Sequence, residues 1–262
     1  MSGTVHTAKG DGRADLPRVA VIGLGRFGRF WAELLADRYE VLGTSRRRID
    51  GLPDGVSQVD LPTALAAEIV FLTVSISAMT EVLTEIAPHL RSDATVVDTC
   101  SVKVFPAREM ERLLPDSVDI IACHPMFGPD SAGERTDRLP VITWPIRDRY
   151  ERYRSITAAF TALEMRVVEM TPDEHDREAA FSQGVTHLVG RVLDQMELQP
   201  SPIATLGYTR LMQVKEQTCN DPLQLFQDLQ RYNPYTREMR ARFAGALAST
   251  EQLLLDGDPP ER

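Results

Sequence analysis

A short apolar run, Val19-Ala20-Val21-Ile22, passes straight into Gly23-Leu24-Gly25-Arg26-Phe27-Gly28, and this junction restricts the fold more than any other stretch of the chain. Beyond the glycines the periodicity is helical, with Phe27, Phe30, Trp31, Leu34 and Leu35 forming one apolar stripe. Strand, glycine turn and helix in immediate succession open a dinucleotide-binding βαβ unit. Gly23 then permits the tight turn, Gly25 lets a pyrophosphate approach the backbone, and Gly28 lets the helix pack close to the strand. The helix N-terminus receives the phosphate charge. Leu24, Arg26 and Phe27 share the loop and are read with it as cofactor contacts, as are Val74 and Ser75 after a later strand.

Further strands are expected at Glu40 to Gly43, Ile69 to Val74, Thr95 to Asp98, Val118 to Cys123, Val141 to Trp144 and Arg166 to Met170, several separated by helical stretches such as Ala78 to Ile86. Such alternation predicts an α/β fold with a Rossmann-type, doubly wound, mostly parallel sheet. The pattern changes at Thr171-Pro172-Asp173-Glu174, where a Thr cap, a proline at the first helical position and a Glu three residues after the cap mark a helix start. From there the chain reads as helix and loop. The expected organisation is a leader without structure over residues 1–17, a dinucleotide-binding domain over 18–170, and an all-helical substrate and dimerisation domain over 171–262. The last of these is small enough to need a second copy against its apolar faces, which predicts a homodimer. The tail Asp256 to Pro260 is expected to fray.

The formal net charge of −9 argues against a nucleic-acid-binding surface. No apolar run approaches the roughly 20 residues that span a bilayer, so no membrane segment is expected. Three widely spaced cysteines, Cys100, Cys123 and Cys219, make neither a disulfide framework nor a zinc site, and a reducing cytoplasm is the natural compartment. The cofactor is addressed by the second strand. An Asp or Glu at its end would hold the ribose hydroxyls of NAD, but Thr44-Ser45-Arg46-Arg47-Arg48 stands there. A hydroxyl and guanidinium groups suit a 2′-phosphate, so Ser45, Arg46 and Arg47 point to NADP rather than NAD; the alternative is a solvated basic turn.

The chemistry centres on His124-Pro125-Met126-Phe127-Gly128-Pro129. The preceding strand delivers His124 to a carboxyl edge, where open α/β sheets bind ligands, and the Pro and Gly after it predict a loop in which the imidazole exchanges protons near neutral pH. Ser101 and Lys103, in the segment after the Thr95 strand, fall on the same sheet edge. Gln183 and His187 lie four apart on one helix face, and Arg210 is a candidate carboxylate clamp. Each also has a structural reading: Ser101 as a helix cap, Lys103 as a surface charge, His187 as a core histidine, Arg210 as half of a salt bridge.

Taken together, the glycine loop, Thr99 to Lys103, His124 to Pro129, Glu174-His175-Asp176-Arg177, Ser182-Gln183 with Thr186-His187, and Thr209-Arg210 resemble the prephenate and arogenate dehydrogenases over roughly residues 18 to 245. Ser182-Gln183, the arginine-containing turn and the stretch from Asp221 to Asn233 are most similar to the plant-type, NADP-dependent arogenate branch; no appended mutase or regulatory ACT-type domain is expected, and so no feedback control by tyrosine. The resemblance implies oxidative decarboxylation of a small-molecule cyclohexadienol, arogenate or prephenate. His124 would take the ring hydroxyl proton, Ser101 would assist it, and Arg210 would hold a carboxylate. Gln183, His187 and Lys103 would complete the pocket, while Asp221 would select an amine; its alternative is a helix cap before Pro222. Other readings of the same pattern are a β-hydroxyacid dehydrogenase, an imine reductase, or a non-catalytic NADP-sensing protein.

Overall fold

The computed structural model describes residues 16–132 and 139–255. All of the expected leader but Leu16 and Pro17 lies outside the described residues, as does the tail Asp256 to Pro260.

The first half alternates strand and helix. β1 (Arg18–Ile22), α1 (Arg26–Leu35), β2 (Glu40–Thr44), β3 (Val56–Gln58), α2 (Leu61–Leu65), β4 (Ile69–Leu72) and α3 (Met79–Ile86) are followed by β5 (Thr95–Asp98), α4 (Val104–Leu113) and β6 (Asp119–Pro125). A short α5 (Pro129–Ala132), β7 (Pro140–Arg147), α6 (Arg152–Ala162) and β8 (Arg166–Glu169) complete one eight-stranded sheet of order β3-β2-β1-β4-β5-β6-β7-β8. The sheet is parallel from β3 to β6, β7 runs antiparallel to β6, and β8 is parallel to β7. The chain crosses over between β1 and β4, which creates the crevice at the carboxyl edge where such sheets take ligands.

Sequence reading missed β3, a three-residue edge strand with one apolar residue, too short to show a period. β7 is longer than Val141 to Trp144 because its pairing with β6 continues to Arg147 opposite Ile120, past a register irregularity beside Ile121. β4, β5 and β6 are buried throughout, as strands covered on both faces must be.

On one face of the sheet the rings of Trp31, Phe71 and Phe160 pack with Trp31 6.0 Å from Phe71 and 5.5 Å from Phe160. Each such pair adds about 0.5–1.5 kcal/mol beyond its buried area. The other face is aliphatic, with Leu72, Met79, Leu83 and Met110 under α3 and α4.

After β8 the chain is helical: α7 (Pro172–Ala179), α8 (Val185–Gln195), α9 (Leu206–Asn220), α10 (Leu223–Tyr232) and α11 (Thr236–Leu255). The start of α7 is fixed by a complete capping box, in which the Thr171 hydroxyl accepts from the Glu174 amide while the Glu174 carboxylate accepts from the Thr171 amide at 3.0 Å. A wide π turn over Ala180–Gly184 joins α7 to α8. α8 and α9 cross so closely at Gly190 that a Cβ there would stand 1.9 Å from the Thr218 hydroxyl. Among the described residues no helix is long and apolar enough to cross a membrane.

Candidate active site

The glycine loop is closed on its inner side and open on its outer side. Gly23 has φ +106°, and its carbonyl accepts from the Thr73 hydroxyl at 2.7 Å. A Cβ on Gly28 would lie 1.8 Å from that same carbonyl oxygen, so α1 can sit this close to β1 only with glycine there. Gly25 instead has no heavy atom within 4 Å of where a Cβ would be, and together with Arg26 and Phe27 it lines a cleft of about 570 Å³. The loop therefore fits a dinucleotide's pyrophosphate: backbone free on the cleft side, helix N-terminus behind it. Leu24 offers only its backbone, because its side chain is buried against Gly43. Val74 and Ser75 line the cleft as expected. Ser45, Arg46 and Arg47 lie just beyond the end of β2 and outside the cleft lining, with both arginines exposed. Their loop is held by Gln58 of β3, which donates to the Arg47 carbonyl at 2.7 Å and accepts from the Ile49 amide at 2.8 Å.

The opposite end of the cleft is floored by β5 and β6. Ser101 lines it, and so does His124, but His124 is not in a loop. β6 runs on through Pro125, pairing His124 with Ile142, and leaves the imidazole 2% exposed. The sequence ends this strand at Cys123; antiparallel pairing with β7, which sets His124 opposite Ile142 and Pro125 opposite Val141, carries it two residues further. Burial, with the charges of His175 and Lys103 adding to it, holds the His124 imidazole well below its ordinary pKa of 6.5, so it is a neutral base at pH 7.

The partner of His124 Nδ1 is His175 Nε2, at 2.8 Å, not Ser101. His175 Nδ1 in turn lies 2.9 Å from Asp176 Oδ1. Both residues stand on α7 and are almost wholly buried; the sequence offers them only within the motif Glu174-His175-Asp176-Arg177. Burial lowers the pKa of His175 as well, against the opposing pull of Asp176.

Lys103 does not bind substrate. Its ammonium is 1% exposed beneath the cleft, where it donates to Asp98 and to the carbonyl of Cys123, next to the catalytic strand end. Asp98 is fully buried and also accepts from the amides of Cys100 at 3.0 Å and Cys123 at 3.4 Å. Desolvation raises its carboxyl above the usual range, and Lys103 opposes that shift. A cation read from its proximity to Ser101 is thus paired with an anion five residues earlier in the chain, because its side chain turns under the sheet edge rather than over it.

From the helical side the cleft receives Ser182 and Gln183 from the π turn and His187 from α8. Gln183 Oε1 and His187 Nδ1 are buried without a hydrogen-bond partner among the described residues, the kind of deficit a ligand repairs. Burial, reinforced by Arg191, takes the His187 pKa down to about 4. Asp221, which caps α9, also lines the cleft; Arg26 reaches it at 3.6 Å while pairing with Asp130. Burial raises the Asp221 carboxyl, which Arg26 counteracts. Arg210 is not there. It is exposed on α9, about 10 Å along the helix from Gln217, the first α9 residue to line the cleft of the same chain.

The glycine loop and the imidazole face one cleft with only β4 and β5 between their strands, as hydride transfer coupled to proton abstraction requires; the chain is a dinucleotide-dependent oxidoreductase. Arogenate dehydrogenase 2, chloroplastic, of Arabidopsis thaliana is 33% identical to it over 249 residues, covering 90% of this chain and 70% of the relative. The chain belongs to the prephenate and arogenate dehydrogenase family. Arogenate dehydrogenase 1, chloroplastic, of the same plant is likewise 33% identical, although the chain spans only 39% of its length. Residues 45–140 match the prephenate dehydrogenase nucleotide-binding domain, and residues 192–259 match the TYRAAT1-like C-terminal domain. Prephenate dehydrogenase from A. aeolicus, in a crystal structure with hydroxyphenyl propionate and NAD+, shares the fold at a TM-score of 0.71 and 18% identity, over 92% of this chain and 91% of that one. Family membership sets aside the hydroxyacid dehydrogenase, imine reductase and non-catalytic alternatives.

Proposed function

We propose that the chain converts arogenate, or prephenate, to the corresponding phenol by oxidative decarboxylation with NADP. One observation carries the reading: a neutral, buried imidazole at position 124 shares its cleft with the open face of the glycine loop and with the two unpartnered polar atoms of Gln183 and His187. With Nδ1 engaged by His175, Nε2 of His124 is the nitrogen left to take the ring hydroxyl proton. The C–H electrons of the same carbon leave as hydride, the bond to the ring carboxylate breaks, and carbon dioxide departs as the ring becomes aromatic. A dinucleotide held on residues 23–28 supplies the hydride acceptor. Ser101 stands beside the hydroxyl, and Gln183 and His187 bind the substrate's polar groups from the helical side. The protein's task is positioning and deprotonation.

Two finer choices follow from charge. Arg46 and Arg47 have no carboxylate partner among the described residues, which leaves both guanidinium groups available to a 2′-phosphate and supports NADP. Asp221 lines the cleft half-buried with only Arg26 near it as a cation besides Arg191, and supports the amine of arogenate over the keto group of prephenate. Homodimerisation is supported by the apolar residues left exposed on the helical layer, including Met196, Leu206, Leu211 and Leu223.

The test is turnover of arogenate and prephenate, each with NADP and NAD, by wild type, His124→Asn and Asp221→Asn. His124→Asn should bind the dinucleotide normally and lose about 10²- to 10⁴-fold in kcat. Asp221→Asn should shift the ratio of kcat/KM values toward prephenate. Unchanged turnover by His124→Asn would rule out the mechanism.

A further inference from the structure

We propose that His175, anchored by Asp176, is a positioning residue that fixes the tautomer of His124, so that Nδ1 carries the proton and Nε2 is bare toward substrate. The inference rests on His124 being the base, and it assigns a task to two buried groups that the reaction itself does not use.

The argument runs outward from Asp176. Its Oδ1 accepts from the Lys103 amide at 2.7 Å and its Oδ2 from the Val104 amide at 2.9 Å, so both oxygens serve as acceptors. A nitrogen 2.9 Å from Oδ1 must therefore donate, which puts the proton of His175 on Nδ1. A neutral imidazole has one N–H, and His175 Nε2 is then an acceptor. Its neighbour at 2.8 Å is His124 Nδ1, which must donate in turn. His124 is left with an unprotonated Nε2. Which nitrogen of a histidine is protonated is set by the hydrogen bond its other nitrogen makes, and here that bond is two steps from a carboxylate.

Burial makes the arrangement exclusive. His124 and His175 are each 2% exposed and Asp176 is wholly buried, so the contacts between them are shielded from bulk water. The nearby Lys103 ammonium, held on Asp98 and the Cys123 carbonyl, disfavours a second proton on either ring. A protonated His175 would donate from both nitrogens and force His124 into the opposite tautomer, with its N–H aimed at the substrate hydroxyl. The backbone amides that hold Asp176 belong to the entry of α4, directly after the segment carrying Ser101, so one carboxylate ties the helical layer to the sheet edge at the site of reaction.

The experiment is ¹⁵N NMR of the histidine rings in the full chain at pH 7.5, with His124→Asn identifying the resonances, alongside kinetics of His175→Gln and His175→Leu. Wild type should show His124 protonated at Nδ1 and unprotonated at Nε2. His175→Gln can offer an amide oxygen near the position of Nε2, and should keep that tautomer and stay within about tenfold of wild-type kcat. His175→Leu offers no acceptor; it should lose the Nδ1–H form and fall by about 10²- to 10⁴-fold in kcat, with little change in KM, as a base with a wrong tautomer does in a Ser-His-Asp triad. A wild-type His124 protonated at Nε2 overturns the proposal, as does His175→Leu with full turnover. The wild-type tautomer decides the matter even where a variant does not fold. An active His124→Asn enzyme would instead overturn the base assignment and leave the tautomer measurement standing on its own.

Discussion

Lys103→Met is the sharpest test of what lies beneath the site. The substitution keeps an unbranched apolar stem out to Cε and removes the ammonium, but it strands Asp98, which is 0% exposed. Removing one partner of a buried ion pair costs about 3–5 kcal/mol, because the remaining charge is left uncompensated. Two backbone amides, of Cys100 and Cys123, still donate to Asp98, which places the expectation at the lower end of that range. For a chain of this size each kcal/mol is worth about 2–4 °C, so the melting temperature should fall by roughly 6–12 °C at pH 7. The pH dependence has a definite sign. Lys103 lowers the Asp98 pKa against desolvation, so its loss raises that value further. A carboxyl whose folded pKa exceeds its unfolded value of 3.8 binds its proton more tightly when folded, so its contribution falls as pH rises from 3.8 through the folded value. The deficit of Lys103→Met should therefore be largest at pH 7 and shrink toward pH 4. Lys103→Met/Asp98→Asn, which removes both charges, should recover most of the loss. Thermal and denaturant melts followed by circular dichroism at pH 4.5 and 7 measure all of this. A deficit under about 1 kcal/mol at pH 7, or one that grows on acidification, would refute the reading of Lys103 as structural.

The glycine loop separates shape from binding. Gly28→Ala drives a Cβ into a backbone carbonyl and should cost about 1–3 kcal/mol or more together with dinucleotide affinity, whereas Gly25→Ala meets open space and should leave melting within about 0.5 kcal/mol while weakening the dinucleotide, as fluorescence titration would show. Equal loss of stability from the two would contradict the loop geometry. The acid limb of kcat/KM should fall below pH 6.5, since the His124 pKa is depressed and the base stays unprotonated through the neutral range; a limb at or above 7 counts against it. The same depressed imidazoles, His124, His175 and His187, contribute stability that is complete above 6.5 and drains as pH drops from there toward their folded values, which acid melts would follow.

How far the sequence reaches depends on how local each decision is. The β1 turn and α1 were readable because ten residues settle them, and the capping box at Thr171 because four do. β3 was hidden by its shortness, and the burial of His124 by a pairing with β7 that no property of His124 to Gly128 announces. Arg210 is a candidate by residue type and motif, neither of which fixes its distance from the cleft, and the seven residues separating it from Gln217 carry it two turns away.

Lys103 and His175 show the limit most plainly, because proximity along the chain ranked them in the wrong order. Lys103 sits two residues from Ser101, and that closeness suggested chemistry, yet the side chain goes under the sheet. His175 lies 51 residues from His124 and touches it. A signal for His175 did exist. Once the capping box fixes where α7 begins, His175 takes the fourth helical position, the slot in which a helix usually presents an apolar residue to the core. The buried face of α7 consists of His175, Asp176 and Ala179, so a search for apolar periodicity finds no inward face on this helix at all. A helix with a strong start and no apolar stripe must either stay in solvent or bury polar groups that satisfy one another. Two adjacent residues capable of donating and accepting, His and Asp, at the very positions that should face inward, favour the second outcome, and His175 and Asp176 satisfy one another beside the catalytic imidazole.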